Sequence, residues 1–140
     1  MENNETDAVE QLRYLQSIYT QEYEAVLNDL SNYTLAYNAI ERNIEVLEKI
    51  NMFDGANILL NLEAGTYAEV KVGSIKKIIA YVGSGYLVEK NVEEAKEFLS
   101  SSAKRQEELL KQIAEQKNKI EKELINIAFE LESIGSERNV

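Results

Sequence analysis

Proline, cysteine, histidine and tryptophan are all missing from these 140 residues, and each absence narrows what the chain can be. Without proline, nothing forbids long uninterrupted helices. Without cysteine there are no disulfides and no thiolate metal sites, which suits a reducing compartment. With neither histidine nor cysteine, the usual general base and thiol nucleophile are absent. No apolar run approaches the roughly 18 to 20 residues needed to cross a bilayer. The opening stretch MENNETDAVE is acidic and has no apolar core, so no export signal or membrane anchor is expected and a cytoplasmic location is. Positive charge is also scarce: 15 Lys and Arg face 25 Asp and Glu, for a net charge of -10. Such a chain repels phosphate backbones, so nucleic acid is not an expected partner. The Lys76-Lys77 pair, a small local exception, reads as a strand edge kept soluble by lysines.

What the chain has is periodicity. One stripe runs Val9, Leu12, Gln16, Tyr19, Tyr23, Val26, Leu30, Tyr33, Tyr37, Ile40, Ile44, Leu47, Asn51, in steps that alternate between three and four residues. A second runs Leu99, Ala103, Gln106, Leu110, Ile113, Lys117, Ile120, Leu124, Ile127, Leu131, Ile134. A mean step of about 3.5 residues keeps one stripe facing a partner helix, the signature of coiled-coil strands. A helix of about 45 residues spans roughly 65 to 70 Å at 1.5 Å per residue, so an elongated architecture is expected.

Between the stripes the helical period stops. Gly55 is placed to end the first helix, and four runs then alternate with a period of two: Ile58 to Leu62, Tyr67 to Val72, Ile75 to Val82 and Tyr86 to Glu89. Ala64-Gly65, Gly73-Ser74 and Gly83-Ser84-Gly85 separate them. Ile58, Leu60 and Leu62 share one face, as do Ala68, Val70 and Val72, and Ile78, Ala80 and Val82. The prediction is an α+β chain, mostly α: a long antiparallel two-helix coiled coil with two β-hairpins at one end. Residues 1–52 form the first helix, 53–90 the hairpin head and 91–140 the second helix of a single domain 1–140. Asn91, with Glu94 three residues later, is a capping-box-like start for that helix. Two hairpins alone leave apolar faces and unpaired edges exposed. They are covered either by another subunit or by folding back on the helices under Phe53 and Phe98, and the sequence favours the first.

Antiparallel pairing brings together residues whose numbers sum to roughly 143: Leu12 with Leu131, Tyr19 with Leu124, Leu30 with Ile113, Ile44 with Leu99. Tyr37 is then expected near Gln106, where hydroxyl and amide can satisfy each other, and Val26 beside the Lys117 stem. Away from the head, apolar residues exceed what one seam needs: Leu15 and Ile18 on the first helix, Ile125, Ala128 and Phe129 on the second. They form an adhesive surface, a seat for a third partner helix, or a broadened seam that splints the helix ends.

Chemistry finds few candidates. Ser100-Ser101-Ser102 lies within a helix with no base nearby in sequence. The acidic pairs of the second helix alternate with Lys96, Lys104, Lys111, Lys119 and Lys122, the ordinary pattern of a solvated helix. Gly83-Ser84-Gly85 joins two strands and is not followed by a helix N-terminus, so it fails as a phosphate loop. No catalytic, cofactor-binding or metal-binding residues are assigned, and binding is the expected activity.

The stretch Val82-Gly83-Ser84-Gly85-Tyr86-Leu87-Val88-Glu89-Lys90, followed by Val92-Glu93-Glu94-Ala95-Lys96-Glu97-Phe98-Leu99, resembles the second hairpin and following helix of prefoldin α-type subunits. The length, the two hairpins and the paired terminal helices are similar too, so the resemblance covers nearly the whole chain. It implies an ATP-independent holdase in which two α-type and four β-type subunits assemble through hairpins into β-barrels. Six coiled coils then hold non-native clients at their tips and deliver them to a group II chaperonin. Carried onto this chain, the assembly residues are Ile58, Leu60, Leu62, Val70, Val72, Ile78, Val82 and Leu87. The client-binding residues are Val9, Leu12, Leu15 and Ile18 with Ile125, Ile127, Phe129, Leu131 and Ile134. One departure stands out: where the family commonly has a Pro-containing stretch resembling LVPLG, this chain has Asn61. A restored N–H donor at an edge can change which subunit pairs there. The alternative reading is therefore a structural, homo-oligomeric scaffold or filament.

Overall fold

A computed structural model describes residues 2–138, with side chains from 3 to 136; Met1 and residues 139–140 of the expected terminal segments lie outside the described residues. The order is α1 (Glu2–Glu48), a 3₁₀ turn (Ile50–Phe53), β1 (Asn57–Glu63), β2 (Thr66–Lys71), β3 (Ile78–Gly83), β4 (Tyr86–Lys90) and α2 (Val92–Arg138). The chain divides into two units, Met1–Leu35 with Glu107–Val140 and Ala36–Gln106, and each helix supplies a segment to both.

In the first unit the seam residues are the sheltered ones. Val26, Ile120 and Ile127 are buried, and Val9, Leu12, Tyr19, Leu30, Ile113, Leu124 and Leu131 are half-buried. The Tyr23 hydroxyl donates to Glu121 Oε1 at 2.9 Å, across a pair whose numbers add to 144, in agreement with the antiparallel register. Lys117, a polar seam residue, is half-buried and places its ammonium 3.6 Å from the same carboxylate oxygen. Polar seam groups of this kind fix register. Two mid-helix threonines are reconciled with the helix by donating backwards, Thr20 to the Gln16 carbonyl and Thr34 to that of Leu30, at 2.7 and 2.6 Å.

In the second unit Leu47, Ala95 and Ala103 form the buried seam. The α-helix stops at Glu48, short of the expected Asn51. The chain tightens into 3₁₀ geometry, with Met52 N–H bonded to the Lys49 carbonyl at 3.0 Å, which turns Asn51 out of the stripe into solvent. Gly55, at φ +76°, then turns the chain into the sheet and donates to the Val72 carbonyl at 2.8 Å. At the other end Asn91 caps α2, accepting the Glu94 N–H on Oδ1 at 2.8 Å, with Glu93 and Glu94 in the first turn where the helix dipole favours carboxylates. The expected exchange between Tyr37 and Gln106 is not realised at the Gln106 carbonyl oxygen, which is buried and accepts no hydrogen bond among the described residues.

The two hairpins are built to one plan. Ile58 pairs with Val70, Leu60 with Ala68, Asn61 with Tyr67 and Glu63 with Thr66; adding 20 to each number gives the second register, from Ile78 with Lys90 to Gly83 with Tyr86. Both strands bulge one residue before the turn, at Leu62 and at Val82. Both turns hold three successive residues at positive φ, Glu63-Ala64-Gly65 and Gly83-Ser84-Gly85. The closing hydrogen bond differs: Asn61 Oδ1 accepts the Glu63 N–H at 2.8 Å, whereas Gly85 N–H donates to the Tyr81 hydroxyl at 3.2 Å. Two expectations are corrected. The bulges take Leu62 and Val82 out of the alternation that their neighbours follow. And β3 begins at Ile78, not Ile75, because Asn91 has already turned into α2 and residues 75–77 have no strand opposite them.

Candidate functional site

Two apolar surfaces, one in each unit, are the parts of the molecule equipped to bind. In the first unit the nine residues assigned to client binding separate by depth. Ile127, a seam residue, is only 5 % exposed, and Val9, Leu12, Ile18, Leu131 and Ile134 are half-buried. Leu15, Ile125 and Phe129 stand out at 43, 66 and 70 % exposed. Leu12, Leu15 and Tyr19 of α1 and Ile127 and Phe129 of α2 line a groove of about 350 Å³, with Glu123, Asn126 and Glu130 beside them. Phe129 also borders a second groove of about 400 Å³ with Glu132, Ser133 and Ser136. Leu15, Ile125 and Phe129 sit off the 3,4 stripe, where the partner helix that covers the seam does not reach them, whereas Ile18, also off the stripe, is half-buried. Tyr14, also off the stripe and exposed, was not among the assigned residues, and its signal was the same displacement from the seam.

The second unit carries the hairpin surface. Ile58, Leu60, Leu62, Val82 and Leu87 are exposed, while Val70, Val72 and Ile78 are half-buried. Sequence reasoning undercounted this surface, because apart from Leu87 it took the apolar residues from one alternating face of each hairpin. Leu59 and Tyr67 lie on the opposite face of the first hairpin, 68 and 60 % exposed; Ile79 and Tyr81 accompany Leu87 on the second. Two-sided apolar strands were visible in the unbroken runs Ile58-Leu59-Leu60 and Ile78-Ile79-Ala80-Tyr81-Val82. The second hairpin has charge at its border, where Lys77 and Glu89 pair at 2.9 Å. Phe98, one of the two proposed covers, lines a groove of about 340 Å³ with Val46, Leu47, Ala95, Ile78 and Ala80. Ile79 and Tyr81 line it too and stay exposed, and Leu87 lies outside it, also exposed. Lys90 caps the Phe98 ring, its ammonium 5.3 Å from the centroid.

Among the described residues no cluster of three or more Asp, Glu, His or Cys is placed to hold a metal ion. The Tyr23 hydroxyl is pushed above its ordinary value by its hydrogen bond to Glu121. That favours a neutral donor, the opposite of an activated nucleophile. No helix of the described residues is long and apolar enough to cross a membrane.

Comparison with known proteins finds similar chains. The family described as "Prefoldin subunit" matches residues 5–137. The prefoldin subunit alpha of Archaeoglobus fulgidus is 32 % identical over 87 % of this chain and 94 % of its own length. That of Methanococcus vannielii is 33 % identical over 82 % of this chain and 77 % of its own. Among solved structures, filamentous PFD from Methanocaldococcus jannaschii shares the fold with a TM-score of 0.54 at 16 % identity, over 87 % of this chain and 96 % of that one.

Proposed function

This chain belongs to the prefoldin family, and we propose that it serves as an α-type subunit of an ATP-independent holdase. In this reading the family's chaperone character is expressed by residues 1–140 acting as a single cytoplasmic prefoldin-like domain. The hairpin surface, with Ile58, Leu60, Leu62, Val70, Val72, Ile78, Val82 and Leu87, joins β-type subunits in a hexamer of two α and four β chains. The surface at the helix ends holds non-native polypeptides for delivery to a group II chaperonin. The observation that carries the client-binding part is the exposure of Leu15, Ile125 and Phe129 beside a helix seam that shelters Ile120, Leu124 and Ile127. The exposed apolar surface of Leu15, Ile125 and Phe129 is available to another chain, each such side chain being worth about 1.5 to 3 kcal/mol when fully buried.

The test is aggregation of a chemically unfolded client on dilution, with this chain, with a β-type subunit, and with both, in the absence of ATP. Protection by the mixture, accompanied by a six-subunit mass, is the expected result; a mixture that leaves aggregation unchanged overturns the reading.

A second reading is favoured by a specific observation: Asn61 is integrated into β1, where its side chain closes the turn, and a structural relative is a filament. On that reading the hairpins join copies of this chain alone. A ladder of homo-oligomeric masses without the β-type subunit is its distinguishing outcome.

A further inference from the structure

The groove beside Phe129 is lined by apolar and acidic side chains together. Leu12, Leu15, Tyr19 and Phe129 supply the apolar surface, and Glu123 and Glu130 the carboxylates. Neither carboxylate forms an ion pair among the described residues. The charge pattern of α2 changes where this groove begins. From Glu93 to Lys122 the helix carries seven acidic and seven basic residues; from Glu123 to Ser136 it carries three glutamates and no basic residue. On α1, residues 3–21 hold Glu5, Asp7 and Glu10 against the single Arg13.

We propose that this groove selects polypeptide segments that combine aliphatic or aromatic side chains with Lys or Arg, and discriminates against acidic segments; the inference rests on the client-binding reading given above. An apolar segment seated against Phe129 and Leu15 displaces water, and in that lowered dielectric Glu123 and Glu130 act more strongly than they do in free solution. The methylene stem of a lysine or arginine adds to the apolar contact while its head reaches a carboxylate. A guanidinium gains further from the faces of Tyr19 and Phe129. A carboxylate in the same place meets two like charges, and no Lys or Arg is among the residues that line the groove.

The test uses the assembled complex and two labelled peptides of equal length and equal Leu and Phe content, one with lysine and one with glutamate at the remaining positions. Binding is followed by fluorescence anisotropy. At low ionic strength the lysine peptide is expected to bind about tenfold more tightly than the glutamate peptide, and the preference should shrink steeply with added salt. In E123Q/E130Q, where glutamine keeps the shape and helix propensity, the preference falls to within about twofold. E41Q/E45Q, which removes the same charge from α1 elsewhere, leaves it intact. Equal binding of both peptides by the unaltered complex, lost in L15S/F129S, overturns the charge inference and leaves the client-binding reading standing. Binding of neither peptide overturns both. A preference that survives E123Q/E130Q places the selectivity in the overall charge and overturns the proposal, as does a change in the complex's mass in L15S/F129S, which would show the groove occupied by another subunit.

Discussion

The two units carry their apolar surfaces in opposite electrostatic settings. Met1–Leu35 with Glu107–Val140 holds 15 acidic and 6 basic residues, a net of -9, whereas Ala36–Gln106 holds 10 and 9, a net of -1. Nearly the whole charge of the molecule therefore lies in the unit that bears Leu15 and Phe129. Like copies of the first unit repel one another, which keeps an exposed apolar groove from closing on its own kind. Copies of the second meet no such barrier, and its apolar residues are set on strands whose backbone edges are open to pairing. On the function proposed above, exposed apolar area alone does not distinguish the assembly surface from the grip; the charge around it does.

The largest effect should come from placing charge in the near-neutral unit. Leu87→Asp buries an unpaired carboxylate in the hairpin interface, at a cost of several kcal/mol. Native mass measurement should find the complex dissociated, and an intact complex would remove the second hairpin from the interface. Next is Ile127→Ala, which opens a cavity beneath the groove. About 2 to 5 kcal/mol of stability should be lost, read as a lowered midpoint in the helical circular-dichroism transition. The exposed neighbour Ile125→Ala should change that midpoint by no more than about 0.5 kcal/mol. Equal effects would mean that the seam and the surface are not distinct.

Those two isoleucines also show how far the sequence could be read. The 3,4 spacing is a consequence of helix geometry, so every seam residue from Val9 to Leu47 and from Leu99 to Ile134 is sheltered as the stripe predicts. Asn51 departs because its position in the spacing says nothing about the 3₁₀ turn that follows Glu48. Ile127 satisfies the spacing and was also assigned to the grip; composition at the helix ends could not tell depth from proximity, and its burial resolves that. In the hairpins the glycines located the turns, but the alternation runs unbroken through Leu62 and Val82, so nothing in it signals a bulge. The second apolar face, Leu59 with Tyr67 and Ile79 with Tyr81, was overlooked because a strand that is apolar on both faces carries no polar alternation to mark them.

Smaller effects sharpen the boundaries. Asn91→Ala removes the cap that separates β4 from α2 and should cost about 0.5 to 2 kcal/mol, detected as lost helicity and as faster amide exchange at Glu94. The Tyr23–Glu121 hydrogen bond should make a small, pH-dependent contribution within the acidic unit. Because the tyrosine is held above its ordinary value, its neutral form is the stabilised one. The contribution is fully present below pH 10 and is lost as pH rises through the raised value. The difference between the unaltered chain and Tyr23→Phe should vanish in that alkaline range, and a difference that grows there would contradict the assignment.

The central claim is that the acidic unit grips while the near-neutral unit assembles. It is tested most directly by L15S/F129S in the full complex, with native mass, helicity and client protection recorded on one preparation. The account predicts unchanged mass and helicity, with at least about a tenfold increase, the equivalent of roughly 1.5 kcal/mol of lost apolar contact, in the complex needed to suppress aggregation. Undiminished protection, or a changed mass, would contradict it.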